Sequence, residues 1–296
     1  MTRDDVSVVV VTYDAMPWIE RCLDSVSGYE TVVVDNGSTD GTLELVRSRA
    51  PEVRLVEQQN RGLGAGWNTG IRETSGVYVL ILNADAWTLG DAVERLVAFA
   101  DAHPRAAVVG PRLRYPDGRM QPSVRGFPTP WRIATEYLFL RKLGPRTKAL
   151  NAFYGAGFAH DEPRRVESLY GAALLVRREA IDQVGLFDES FFMFSEETDW
   201  LYRFRRVGWE VWFTPEAEVV HLGGASHGGR LYVENLRGIL RFMAKNRGAK
   251  EAERARLLLL WSLRLRALLL RGERGRSYRE GARFLESGDV PALLAA

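Results

Sequence analysis

Cysteine is almost absent from this 296-residue chain: Cys22 stands alone, so no internal disulfide can form. Nothing therefore calls for an oxidising compartment, and the expected location is the cytoplasm. Also missing is an apolar run of the ~18 residues that a membrane-spanning helix needs. The opening MTRDDVSVVVVTY lacks the charged segment, apolar stretch and cleavage site of a signal peptide. Charge of one sign is scarce as well. Lys and Arg number 40 against 38 Asp and Glu, a formal net charge of +2, too little to point to a nucleic acid partner. The balance is uneven along the chain, however. Between Arg241 and Arg283 there are thirteen basic residues and only four acidic ones, Glu251, Glu253, Glu273 and Glu280. No internal repeat is present.

With 46% hydrophobic residues, the chain can bury a sizeable core. Its first part alternates strand and helix patterns. Strands are expected at Val6 to Thr12, Thr31 to Asp35, Val53 to Gln58, Val77 to Leu82 and Ala107 to Leu113. Helices are expected at Trp18 to Ser27, Thr42 to Ala50, Gly64 to Thr74 and Asp91 to His103. This order reads as an α/β fold with a doubly wound sheet. Residues 116–168 are rich in Pro, Gly, Arg and aromatics and lack sustained periodicity, apart from a helix near Trp131 to Leu143. Long segments of this kind usually form lids or binding loops. Regular patterns return at YGAALLVRREAI, a helix at ETDWLYRFRRVGW, and two short strands, EVWFTP and EAEVVHL. From Leu231 onward the chain reads as helical. The resulting division is a unit of 1–230, split into a nucleotide-binding half (about 1–115) and an acceptor-binding half (about 116–230), with a basic helical extension at 231–296.

Chemistry concentrates where strands end. LILNADAW runs three aliphatic residues into Asn83, Ala84 and Asp85. In open α/β sheets ligands collect outside the carboxyl ends of strands, where polar groups can face a crevice. Asp85 there could hold a hard cation through oxygen, or the segment could be an ordinary turn into the next helix. The first strand delivers Thr12, Tyr13 and Asp14 to the same edge, and the second delivers Asp35 and Asn36. A nucleotide suits that edge: a ring lies against Tyr13, a carboxylate accepts from a base N–H, and a cation meets phosphates. NRGLGAGWNTG does not supply a Rossmann fingerprint. Starting at Gly62, the third glycine would fall on Trp67, and the segment follows the third strand rather than the first.

Six segments in order, VSVVVVTYDAMPWIERCLDSV, VVVDNGSTDGT, NRGLGAGWNTGI, LILNADAW, GAALLVRREAIDQVGLFDESFFMFSEETDW and GWEVWFTPEAEVVHLGG, resemble the successive motifs of family 2 glycosyltransferases. The resemblance spans roughly residues 6 to 245. It implies the GT-A fold, a nucleoside-diphosphate-sugar donor (UDP- or dTDP-linked), a divalent metal such as Mg2+ or Mn2+, and inversion at the anomeric carbon. Matched by position, Thr12, Tyr13 and Asp35 would line the nucleobase pocket, and Arg61 would lie near the base or diphosphate. Asn83-Ala84-Asp85 stands where the family carries Asp-x-Asp, which makes Asp85 the metal ligand and Asn83 a contact to ribose or sugar. One carboxylate of the strict motif is missing. In SEETDW the family's general base falls on Glu197, with Glu196 and Asp199 as alternatives, although three acids could also simply form the charged first turn of a helix. His221 matches a family histidine that can approach the metal. His227 and Arg230, in the Gly-rich stretch after it, could contact the diphosphate. The SVRGFPTPW segment resembles bacterial rhamnosyltransferase-like members, which implies a dTDP-linked donor.

The tail ERARLLLLWSLRLRALLLRGERGR packs Leu and Trp between arginines. It is too interrupted to cross a bilayer, and suits either an interfacial helix on anionic lipid through 254–271 or a helix packed on the protein. The first case would place the chain at the inner face of the cell membrane, with a glycan or lipid-linked glycan as acceptor. Two rivals are considered. A nucleotidyltransferase would need a Gly-rich, Lys-containing loop where this chain reads YDAMPW; a catalytically silent nucleotide- or glycan-binding subunit would not need the acidic cluster.

Overall fold

The computed structural model describes residues 5–223, 232–287 and 290. β1 (Val6–Thr12), α1 (Ile19–Asp24), β2 (Glu30–Asp35), α2 (Thr42–Arg49), β3 (Arg54–Glu57), α3 (Leu63–Arg72) and β4 (Tyr78–Asn83) form the alternating first part. Next come β5 (Ala86–Thr88), α4 (Ala92–Ala102), β6 (Ala106–Arg114), β7 (Met120–Gln121), β8 (Val124–Arg125), α5 (Pro130–Tyr137) and α6 (Lys148–Asn151). β9 (Arg164–Val166), β10 (Ser168–Leu169), β11 (Ala173–Arg177), α7 (Arg178–Val184), α8 (Glu196–Arg206) and β12 (Glu210–His221) complete the sheet region. Helices α9 (Tyr232–Arg247), α10 (Ala249–Leu269) and α11 (Gly272–Glu286) follow.

Among the described residues the main sheet runs β3-β2-β1-β4-β11-β6-β12-β5, with β7 beside β6 and β9 beside β12. β1, β2, β3 and β4 are parallel, whereas β11 enters antiparallel between β4 and β6. The sheet is therefore mixed. β1 is buried along its whole length, and its valines alternate between two cores. Val8 and Val10 pack with Ile19, Leu23 and Leu96 on one face. Val9 and Val11 join Trp67 and Ile71 on the other, a cluster that continues into Trp200, Leu240 and Phe242. The C-terminal helices thus join the same core, packing on α5 and α8.

The glycines of NRGLGAGWNTG serve packing. A side-chain carbon at Gly66 would come within 2.7 Å of Val11 Cγ1, and one at Gly70 within 2.2 Å of Val9 Cγ1. Their absence lets α3 lie directly on β1. That approach puts Leu63 and Trp67 beside the strand ends.

Three local readings differ from the structure. EVWFTP and EAEVVHL form one strand, β12, which absorbs Pro215 through a shift of register between Phe213 and Glu218. The helix expected from Trp131 to Leu143 stops at Tyr137, and a short tight turn of helix follows at Leu140–Leu143. β5 is a strand the periodicity did not reveal, being only three residues long. It matters because it pairs antiparallel with β12, with Ala86 opposite His221.

Candidate active site

At the nucleotide edge, β1 and β2 end in register, Thr12 beside Asp35. Asp35 is buried and saturated. Its Oδ1 accepts from the Gly37 and Ser38 amides (2.9 and 2.8 Å), and its Oδ2 from the hydroxyls of Thr12 (2.7 Å) and Ser38. Four donors fill the lone-pair sites of a carboxylate. Asp35 here shapes the loop, and a base N–H would reach it only in place of a hydroxyl. Asn36 is equally engaged, accepting from Gln58 Nε2 at 2.9 Å and facing the Gly62 carbonyl. Asp14 adopts a left-handed backbone (φ 49°) and its Oδ1 accepts from the Thr39 amide at 2.7 Å, tying the two strand-end loops together. Tyr13 is exposed, leaving its ring open to a stacking partner. Arg61 is solvent-facing, 3.4 Å from Glu189.

A few residues further along the edge, Asn83, Asp85 and His221 converge. Asn83 ends β4 with its amide bonded to the Ala172 carbonyl, while its side-chain Oδ1 is buried without a partner. Ala84 is buried between the two polar residues. The antiparallel pairing of β5 with β12 brings His221 Nε2 to 3.4 Å from Asp85 Oδ1. On its other side, His221 Nδ1 lies 2.9 Å from Gln121 Oε1. A carbonyl oxygen only accepts, so Nδ1 carries the hydrogen and a neutral ring turns the lone pair of Nε2 toward the Asp85 carboxylate. Two lone-pair donors face each other across a gap that a cation would fill. Among the described residues no three His, Cys, Asp or Glu side chains converge as a metal cage. Asp85 and His221 suit a hard or borderline divalent cation as two protein ligands, with the remainder of its shell left to oxygens of a bound molecule.

Opposite them stands the start of α8. Phe194 and Ser195 both hold left-handed backbone (φ 68° and 72°), which turns the chain sharply before Glu196 and Glu197. α9 braces this turn: a side-chain carbon at Gly238 would come within 2.4 Å of the Phe194 carbonyl oxygen. Glu196 is almost fully buried and its Oε2 has no partner. Burial, then the charge of Glu197, hold its carboxyl well above the usual carboxylate range. Burial also raises Glu197, an effect partly offset by the amides of Glu197 and Thr198 and by Arg125. Both carboxyls are thus held above the usual range by the same burial. Asp199 stands apart from this pair. It is fully buried outside this cavity, bonded to Arg203 (2.9 Å), Lys245 (2.8 Å) and Asn246 (2.9 Å), and serves as an anchor between α8 and α9.

One cavity collects Asn83, Asp85, His221, Glu196 and Glu197, together with Trp67 and Tyr170. Trp67 Nε1 is a further buried polar atom without a partner, so three such atoms border it. Buried polar groups are nearly always paired, and three unpaired around one space indicate a polar ligand's seat. Sequence reasoning missed Trp67, Gln121, Arg125 and Tyr170. Burial, then Glu197, push the Tyr170 hydroxyl up to about 12, and Arg125 lies 5.8 Å over its ring. Gln121 and Arg125 sit in QPSVR, inside a stretch with no periodicity to place them. His227 and Arg230 lie outside the described residues.

Comparison with known proteins shows the family and the fold. The model of "Glycosyl transferase family 2" matches residues 7–182. An N-acetylglucosaminyl-diphospho-decaprenol L-rhamnosyltransferase of Mycobacterium tuberculosis is 35% identical over 235 residues, covering 74% of this chain and 76% of that protein. Among solved structures, the mannosyltransferase PcManGT of Pyrobaculum calidifontis, in complex with GDP-Man and Mn2+, superposes with a TM-score of 0.56 at 19% identity. The alignment covers 100% of this chain and 84% of that one. Staphylococcus aureus TarS 1-349 in complex with UDP-GlcNAc gives 0.53 at 18% identity, covering 98% and 84%. These likenesses show the fold to be GT-A. The chain is a glycosyltransferase and belongs to glycosyl transferase family 2.

Proposed function

We propose that this enzyme transfers a sugar, with inversion, from a nucleoside-diphosphate sugar to a hydroxyl of a lipid-linked glycan. Glu197 is the general base, and Asp85 with His221 holds a divalent cation. The observation that carries this reading is the placement of Asp85 and Glu197 around a single cavity. When bound, such a cation neutralises charge on a departing diphosphate.

The residues of the chain divide the remaining work. Tyr13, with Thr12, Asp14, Asp35 and Asn36 shaping the edge, receives the nucleobase, and Arg61 stands at its rim. Asn83 Oδ1, buried and unpaired, accepts from a ribose or sugar hydroxyl. Glu197 takes the proton of the acceptor hydroxyl as its oxygen bonds to the anomeric carbon, while the bond from that carbon to the diphosphate breaks and its electron pair leaves with the diphosphate. The 35%-identical relative is named for L-rhamnosyl transfer to an N-acetylglucosaminyl diphospholipid, and this favours a dTDP-linked L-rhamnosyl donor and a polyprenyl-diphosphate glycan acceptor, used at the cytoplasmic side of a membrane.

Mass spectrometry of acceptor incubated with dTDP-L-rhamnose, UDP-N-acetylglucosamine or GDP-mannose, each with Mn2+ or Mg2+, tests the donor. Transfer from the dTDP sugar alone is the expected result. Transfer from only one of the others would replace the donor assignment while leaving the base and cation roles in place.

A further inference from the structure

Helix α10 is apolar on two sides. Its inner side buries Ala252, Ala255, Leu259, Leu260 and Leu263 against α5, α9 and α11. A helix on a protein surface ordinarily turns polar residues to the solvent opposite such a stripe. α10 instead exposes Leu257, Trp261, Leu265, Leu268 and Leu269, with Trp261 at 63%, Leu268 at 83% and Leu269 at 69% exposure. Their spacing of four, four, three and one places them along a single helix face.

The patch continues beyond α10. Arg266 lies 4.1 Å over the ring of Phe139, which fixes the 138–143 turn beside the last two turns of the helix. That turn exposes Phe139 and, at 79%, Leu143. Charge at this end of the helix is basic. Lys142 sits over Phe139, and Leu270 runs directly into exposed Arg271 and Arg274. Arg254 and Arg264 also rise from the exposed face, Arg264 over the Trp261 ring at 5.3 Å, but they are paired with Glu251 and Glu286, so the basic charge free to meet lipid is that of Lys142, Arg271 and Arg274. Leu and Trp at the centre with Arg and Lys around them is the composition of a helix lying in the headgroup layer of an anionic bilayer. None of the described helices is long and apolar enough to cross a membrane, so contact at the surface is what this face allows.

We propose that the outer face of α10, extended by the 138–143 turn, docks the enzyme on an anionic phospholipid surface. Charge complementarity selects this partner over a second copy of the chain, whose identical patch would bring arginines against arginines. The proposal does not depend on the donor or acceptor assignment, because lipid without acceptor suffices to test it.

The full chain is floated with vesicles of phosphatidylcholine alone and of phosphatidylcholine with phosphatidylglycerol. Binding to the second only, weakened by salt, is expected. Leu265→Ser combined with Leu268→Ser should lower partitioning at least about tenfold, since each leucine leaves the lipid interface. Arg271→Glu with Arg274→Glu should do the same while leaving the leucines in place. All four positions are exposed, and unchanged circular dichroism and melting confirm that the variants fold. Failure to bind either vesicle, or equal binding to both, overturns the proposal. So does a concentration-dependent dimer in sedimentation velocity that the serine variants dissolve while vesicles bind nothing.

Discussion

Glu197 and Glu196 are neighbours in sequence, and in the proposed reaction Glu197 is the base. A base must be ionised to work, and burial raises the carboxyl of Glu197. Activity should therefore rise with pH through a midpoint above the ~4.3 of an ordinary glutamate. Glu197→Gln should lower transfer by about 10²–10⁴-fold and erase that acid limb, with nucleotide binding nearly unchanged in calorimetry. Glu196→Gln keeps the shape of that side chain and leaves the proposed base in place, so the limb should stay and transfer should fall far less. At the cation site, Asp85→Asn should abolish metal-dependent nucleotide binding. Gln121→Ala, which frees the His221 ring to change tautomer, should weaken Mn2+ affinity by about tenfold or more when titrated by electron paramagnetic resonance. Asp85 and the two glutamates were legible in the sequence, because acids at the end of an apolar strand or the start of a helix stand out. Gln121 and Arg125 were not, since only tertiary contact gives them a partner. Asp35 was legible as an acid at a strand end, but nothing in VVVDNGSTDGT shows that four local donors would surround it.

Among the elements, α8 is the one whose position decides the site. Its first turn is strained, and two features of α9 hold it: the close approach at Gly238 and the ion network around Asp199. Asp199→Ala leaves Arg203 and the Asn246 amide without their buried acceptor, while Lys245 keeps Asp188 at 2.7 Å, and should cost about 1–3 kcal/mol in denaturant melts. Its nucleotide binding should survive at temperatures where the variant remains folded. Gly238→Ala should cost about 1–3 kcal/mol and reduce transfer, although Gly238 does not itself line the cavity, because α9 must back away from the carbonyl of Phe194, which does. Strand and helix order in the first part followed from hydrophobic periodicity. β12 did not, as Pro215 reads as a terminator unless a register shift across its neighbours is known. β5, three residues long, carries no period at all, yet it sets His221 beside Asp85.

Taken whole, the molecule is a mixed sheet with its chemistry at one edge and the C-terminal helices packed on α5 and α8. The alternation of strand and helix patterns forecast the layered sheet, and the six ordered motifs forecast the family. What composition could not forecast is that the basic tail joins the same core while turning a second apolar face outward. The central claim is that one cavity holds both the base and the cation site of a sugar transfer. Its most direct test is transfer from dTDP-L-rhamnose to a polyprenyl-diphosphate N-acetylglucosamine acceptor by wild type, Glu197→Gln and Asp85→Asn, with dTDP affinity measured beside each in Mn2+. The account predicts product from wild type only, with dTDP still bound by Glu197→Gln and lost from Asp85→Asn. Product formed by Glu197→Gln at the wild-type rate would contradict it.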